Sequence, residues 1–273
     1  MSFWQNILQI LDVKMQKPDM YGWFHLLSLG LIALLTVALC IAARKRGERE
    51  NVRRVVLVIT LIVVGLEIYK QINYSFSYTD GIRFEYQWYI FPFQFCSTPM
   101  YIGLLAGMTK KGKVHDAACA YLATYAMFAG LCVMAYPDTV FVQTIGINIQ
   151  TMVCHGTMIA IGIYLLYSGY VKIEIKTLFR AVLIFTILVL MAAVMNEVAF
   201  QAGLLETEDF NMFFISPHSA PFLPIYSLVQ NVVPFPYCLV IYIAGFTAAA
   251  ALILLIAKGI AILNSRKELI QMH

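Results

Sequence analysis

Residues 88–101 read WYIFPFQFCSTPMY, and within this apolar, aromatic run Gln94, Cys96, Ser97 and Thr98 stand between Pro92 and Pro99. A cysteine attacks as its thiolate, and apolar surroundings keep a thiol protonated unless a neighbouring base takes the proton. His155, in IQTMVCHGTM at 149–158, is the residue type that supplies such a base. The pair would support acyl transfer: Cys96 attacks an ester carbonyl while Gln94, Thr98 or Asn196 donates to the developing oxyanion. A plain packing reading stands beside it, with Cys96 as a small buried hydrophobe and His155 bonded to a facing helix. Cys154 lies about 100° round the helix from His155, at 3.6 residues per turn, and is expected to face elsewhere.

The elements that must position these side chains are membrane helices. Of 273 residues, 61% are hydrophobic and 12% charged, with a mean hydropathy of +0.77, whereas soluble domains carry about 25% charge. A hydrocarbon core about 30 Å thick needs about 20 apolar residues per helix. Seven segments meet that need, at roughly 23–43, 52–73, 88–108, 117–136, 147–169, 178–200 and 236–257. The expected fold is therefore all-α, a polytopic bundle of seven transmembrane helices. Residues 1–20 show no basic stretch followed by an apolar one, so no cleavable signal peptide is expected. FWQNILQILDV at 3–13 reads instead as an amphipathic interfacial helix. The division is thus 1–20 as an interfacial segment and 21–273 as a single transmembrane domain, with no internal repeat or linker in view.

Basic residues give the orientation. The connections after the first, third and fifth segments, and the tail after the seventh, hold fifteen of the 19 Lys and Arg, including Arg44, Lys45, Lys111, Lys176 and Lys267. The opposite face keeps Lys14, Lys17, Lys70 and Arg83, and its longest loop carries Glu206, Glu208 and Asp209. The N-terminus is expected outside and the C-terminus inside. The net charge of +4 then belongs to segment ends that meet an anionic inner leaflet, and no nucleic-acid partner is implied.

Polar and ionisable side chains inside a membrane are costly and mark function by default. Cys96 and His155 each lie about eight residues into their segments, or roughly 12 Å deep. His25, Glu67 and Asn196 sit near the same ends of theirs, while the inner half has nothing comparable. Matched depth describes a pocket open to the outer half of the bilayer, with His25, Glu67, Gln94, Thr98, Asn196 and Tyr237 lining it. Glu67 and Lys70, spaced i, i+3, could equally be a structural ion pair, and Tyr237 part of the interfacial aromatic belt. Pro92 and Pro99 should open the third helix at Cys96, because proline cannot donate to the preceding turn and crowds its carbonyl; carbonyls so freed must find other donors. The six cysteines show no CxxC pair and none lies in an outer loop, so no disulfide framework is expected; a metal site built from His25, Glu67, Cys96 and His155 is conceivable in ligand type, but ligands from four separate helices show no diagnostic spacing and none is assigned.

The runs FPFQFCSTPMYIGLL, IQTMVCHGTMIAIGIYLLYSGY, VMNEV, DFNMFFISPHS and VVPFPYCLVIY, in that order, resemble the YwaF family of bacterial integral membrane proteins. The resemblance covers most of the chain beyond residue 20; Gln94 stands where the family more often has histidine. It implies kinship with eukaryotic phospholipid acyltransferases that have a cysteine active centre, and more distantly with androgen-induced membrane hydrolases. Carried over by motif, Cys96 takes the nucleophile position and His155 that of the base. A bacterial plasma membrane is the implied location.

The expectation is thus an outer-leaflet lipid acyltransferase or lipid-ester hydrolase, with membrane lipids as substrate and no cofactor; the sequence does not set the oligomeric state. The alternative is a transporter or receptor for a lipid or small molecule that uses the same pocket without covalent chemistry. A retinal protein is disfavoured, since the last segment has no mid-membrane lysine.

Overall fold

A computed structural model describes residues 3–46, 49–77, 81–203, 210–219 and 224–271, with side chains of 44–46, 49–50, 224–225 and 265–271 left aside. Glu206, Glu208 and Asp209, which the orientation reading used, lie outside the described residues, as do the side chains of Arg44, Lys45 and Lys267.

The described chain is helical apart from one short hairpin, β1 (Phe76–Ser77) against β2 (Arg83–Phe84). The helices are α1 (Phe3–Leu11), α2 (Trp23–Arg46), α3 (Arg49–Asn73), α4 (Thr98–Met108), α5 (Lys113–Tyr121), α6 (Met127–Ala135), α7 (Ile145–Tyr167), α8 (Ile175–Gln201), α9 (Pro224–Gln230) and α10 (Phe235–Gln271). A π turn at Leu122–Ala126 joins α5 and α6 into one continuous span. Among the described residues, six helices are long and apolar enough to cross a membrane, because each follows an apolar run closed by charge, proline or glycine.

Residues 88–108 do not form the single helix that their hydropathy suggests. A 3-10 turn covers Trp88–Ile90, and regular helix begins only at Thr98. The eleven residues of α4 rise about 16 Å, half a bilayer core. Two prolines explain the loss. With helix starting at Thr98, Pro99 falls in the first turn, where its missing N–H costs nothing, and Pro92 stays in the open stretch before it.

Protein burial is uneven. In their most apolar windows the α5–α6 span is 78% buried and α7 72%, against 0% for α2 and 22% for α3. The α5–α6 span and α7 are therefore central, and α2, α3, α8 and α10 present wide faces to lipid. Tyr121, Tyr125, Phe185 and Val189 sit at the middle of the core, with the Tyr125 and Phe185 rings stacked 4.3 Å apart. Lipid tails give helices little hydrophobic reason to associate, so small residues that allow close backbone approach carry much of the packing. Gly107 of α4 does this against α3: a Cβ there would lie 2.7 Å from that of Leu57.

The N-terminal segment is tied down rather than trailing. Lys14 pairs with Thr144 in an antiparallel bridge, the Met15 N–H donates to the Gln143 carbonyl at 2.8 Å, and Asn73 donates to the Leu11 carbonyl at 3.2 Å. It thus laces the start of α7 to the end of α3.

Candidate functional site

The site begins with the break before α4. Unwinding residues 91–97 leaves carbonyls that lipid cannot solvate, and side chains answer them individually. Gln71 donates to Ile90 O at 3.0 Å, Tyr101 to Pro92 O at 2.8 Å, and Thr98 to Phe95 O at 3.0 Å. Thr98 also shares a 2.8 Å hydrogen bond with the Tyr121 hydroxyl, fixing the break to the central span. Cys96 lies two residues ahead of α4, at the helix end whose free N–H groups favour negative charge.

Cys96 lines a cavity of about 20 Å³, room for a single water, together with Thr60, Met100, Leu122, Cys154 and Thr157. The 100° separation of residues 154 and 155 therefore holds, but their faces are the reverse of the expectation: Cys154 turns to the Cys96 cavity, and His155 is not among its lining residues. Behind Cys154 runs a polar chain unusual at this depth. Gln150 donates to Cys154 Sγ at 3.3 Å and to Glu67 Oε2 at 3.2 Å; Glu67 Oε1 accepts from Gln71 at 2.8 Å and pairs with Lys70 at 2.9 Å. Glu67 is 6% exposed, so the pair is buried and well bonded, the condition under which a charge in low dielectric is tolerated. Lys70 is near enough to act electrostatically on Cys96, Cys154 and His155 alike. Gln150 escaped the sequence reading, although its i, i+4, i+7 spacing with Cys154 and Thr157 marks one face of α7.

His155 is buried, and its Nδ1 lies 2.8 Å from the Thr151 carbonyl. A carbonyl only accepts, so Nδ1 carries the proton and Nε2 of the neutral ring is left as a bare acceptor. That Nε2 is buried without a hydrogen-bond partner. Both nitrogens being accounted for, no hydrogen bond joins His155 to Cys96.

The other anticipated pocket residues go elsewhere. Gln94 donates to Asn211 O at 3.0 Å and accepts from Phe213 N at 3.1 Å. Asn196 donates to Met212 O at 3.0 Å and accepts from Met212 N at 2.7 Å. With Tyr242, which donates to Phe213 O at 3.0 Å, they clamp an irregular loop in which Phe213 and Phe214 hold positive φ of 58° and 56°. His25 accepts from Tyr21 N at 3.0 Å and reaches Met134 O at 2.9 Å, tying α2 to the end of α6. Tyr237 is 65% exposed. His25, Glu67, Cys96 and His155 do not assemble as metal ligands, and no group of three such residues occurs among the described residues. At the opposite end, His115 is buried and lies 2.6 Å from the Tyr170 hydroxyl, tying α5 to the loop before α8, while Asp116 salt-bridges Arg180 at 3.4 Å.

Residues 20–258 match the model of the TMEM164 family, a family of membrane proteins. The chain belongs to that family. Neither a search among curated proteins nor one among solved structures returned a match.

Proposed function

We propose that this TMEM164 family protein is a lipid acyltransferase or lipid-ester hydrolase, with Cys96 as nucleophile and His155 as general base. The observation that carries the reading is the bare, buried Nε2 of His155. An unmet acceptor at that depth costs about 1–3 kcal/mol, and its tautomer, fixed by Thr151, is the one a base requires. The resemblance to the YwaF family and its cysteine-centred acyltransferase relatives supports the same assignment.

Cys96 gives its proton to His155 Nε2, and the sulfur attacks the ester carbonyl. The acyl C–O bond breaks and the leaving alkoxide takes the proton from the imidazolium. An acceptor hydroxyl, or water, then yields its proton to Nε2 and attacks the thioester, and the departing thiolate is reprotonated. Catalytic hydrogen bonds often close only in the substrate complex; in this scheme substrate brings imidazole and thiol together. Gln94 and Asn196 are engaged with the 211–213 backbone, so in this scheme Thr98 or the neighbouring Ser97 hydroxyl donates to the oxyanion.

In this reading the open stretch 91–97 and α4 together make a seventh crossing of a bacterial plasma membrane, with the N-terminus outside. The 15-to-4 distribution of Lys and Arg supports that orientation. The test is vesicle-reconstituted protein given a panel of labelled diacyl, ether and lyso phospholipids. Acyl transfer or release is expected from the wild type and not from Cys96→Ala. Saturable lipid or solute uptake without any acyl product would favour the transport reading instead.

A further inference from the structure

A groove of about 340 Å³ runs along α3 beside the 84–101 segment, within the usual range for ligand sites. Its floor holds Glu67 and Met100, 6% and 8% exposed, and its lips are Ile68, Ile72 and Phe84, 56%, 38% and 70% exposed. In a membrane those lips face lipid. The polar groups along it need nothing from a ligand: Gln71 binds Glu67, the Ile90 carbonyl and the Tyr86 hydroxyl, the last at 2.7 Å. An apolar occupant therefore strands no donor or acceptor, whereas a polar one would gain few new bonds. Met100 lines this groove and also the cavity of Cys96. The two spaces differ more than tenfold in volume, about 340 Å³ against about 20 Å³.

We propose that this groove binds one acyl chain of a membrane lipid, entering sideways between α3 and the stretch before α4, and that Met100 is the wall past which only the ester linkage reaches Cys96. The inference rests on the acyl-chemistry reading for its second half and adds to it the place of the chain. The cavity at Cys96 has room for a single water, so the hydrocarbon stays on the α3 side of Met100 and the ester carbonyl reaches the thiol only when the Met100 side chain swings aside. Bulk at Met100 then sets access to the thiol, and bulk at Val64 or Ile68 sets occupancy of the groove.

Full-length wild-type protein and Cys96→Ala are reconstituted in phosphatidylcholine vesicles carrying a trace of phospholipid with a photoreactive diazirine near one chain end. Crosslinked peptides are mapped by mass spectrometry. Crosslinks to the 64–76 segment should exceed those to the lipid-facing 26–34 face of α2 by roughly tenfold, about 1.4 kcal/mol of preferential occupancy. Ile68→Trp, at an exposed lip where folding is little affected, should bring that ratio near one. Met100→Ala should move a share of the crosslinks to Thr60 and Val63. Equal crosslinking of α2 and α3, or a ratio unchanged by Ile68→Trp, overturns the groove. Because Cys96→Ala should crosslink like the wild type, groove labelling in a protein that turns over no lipid would sink the acyl-transfer reading and leave the chain site standing. Turnover without groove labelling would do the reverse.

Discussion

Two polar regions lie within one bundle, and they treat their hydrogen bonds in opposite ways. Around the 211–214 loop, the amides of Gln94 and Asn196 and the hydroxyl of Tyr242 each meet a backbone group. Around Cys96, two thiols face a cavity of about 20 Å³ with an ion pair near them, and on a neighbouring face of α7, off that cavity, the buried Nε2 of His155 has no partner. Side chains of similar type at similar depth thus do different work. The first region spends its polarity on holding irregular backbone in place, since lipid would not solvate it. The second leaves acceptor capacity and thiol chemistry unspent, and buried groups left unmet are where chemistry is sought.

The largest effect that would sharpen this contrast is on rate. His155→Ala should slow acyl turnover by about 10² to 10⁴, roughly 3 to 5.5 kcal/mol of barrier, while thermal unfolding in detergent changes little. Loss of folding with no separable rate effect would place His155 with the structural region. Next comes Asn196→Ala, which removes both partners of Met212. Two orphaned buried backbone groups at about 1–3 kcal/mol each predict about 2–6 kcal/mol of lost stability, read by thermal or denaturant unfolding. Hydrogen bonds between regular membrane helices average nearer 0.6 kcal/mol, so a loss that small would mean the loop finds other partners. Gln94→Ala should follow the same pattern, as it serves Asn211 and Phe213.

Glu67→Gln keeps the shape of the polar chain and removes the charge that neutralises Lys70. It strands the buried Lys70 charge, so stability to unfolding should fall by about 3–5 kcal/mol, and the pH profile of turnover should shift as well. An unaltered profile would make the pair purely structural. The smallest effect belongs to Cys154→Ala, expected to leave turnover within about threefold, under 1 kcal/mol, although Cys154 shares the cavity with Cys96.

Much of this architecture was legible in the sequence, for reasons that also explain what was not. Helix existence follows from runs of apolar residues, and all six helices of spanning length coincide with such runs. Pro92 and Pro99 announced an opening at Cys96, but hydropathy could not tell a kinked helix from a half-length one, since an unwound apolar stretch has the same composition. Azimuth was not legible. Cys154 turns toward Cys96 and Gln150 toward Glu67 because α7 packs against both α3 and α2, and nothing local to IQTMVCHG says which neighbour each face meets. Gln94 and Asn196 looked like free donors because their partners, residues 211–213, lie more than a hundred positions from Gln94 and across a loop from Asn196.

The central claim is tested most directly by trapping the covalent intermediate. Purified protein is given labelled phospholipid, quenched in acid, digested and mapped by mass spectrometry. An acyl group should be found on the peptide carrying Cys96, released by hydroxylamine as a thioester is, absent from Cys96→Ala and retained in Cys154→Ala. Acyl label on Cys154 instead, or none on any cysteine while lipid is being turned over, would contradict the assignment of Cys96 as the nucleophile.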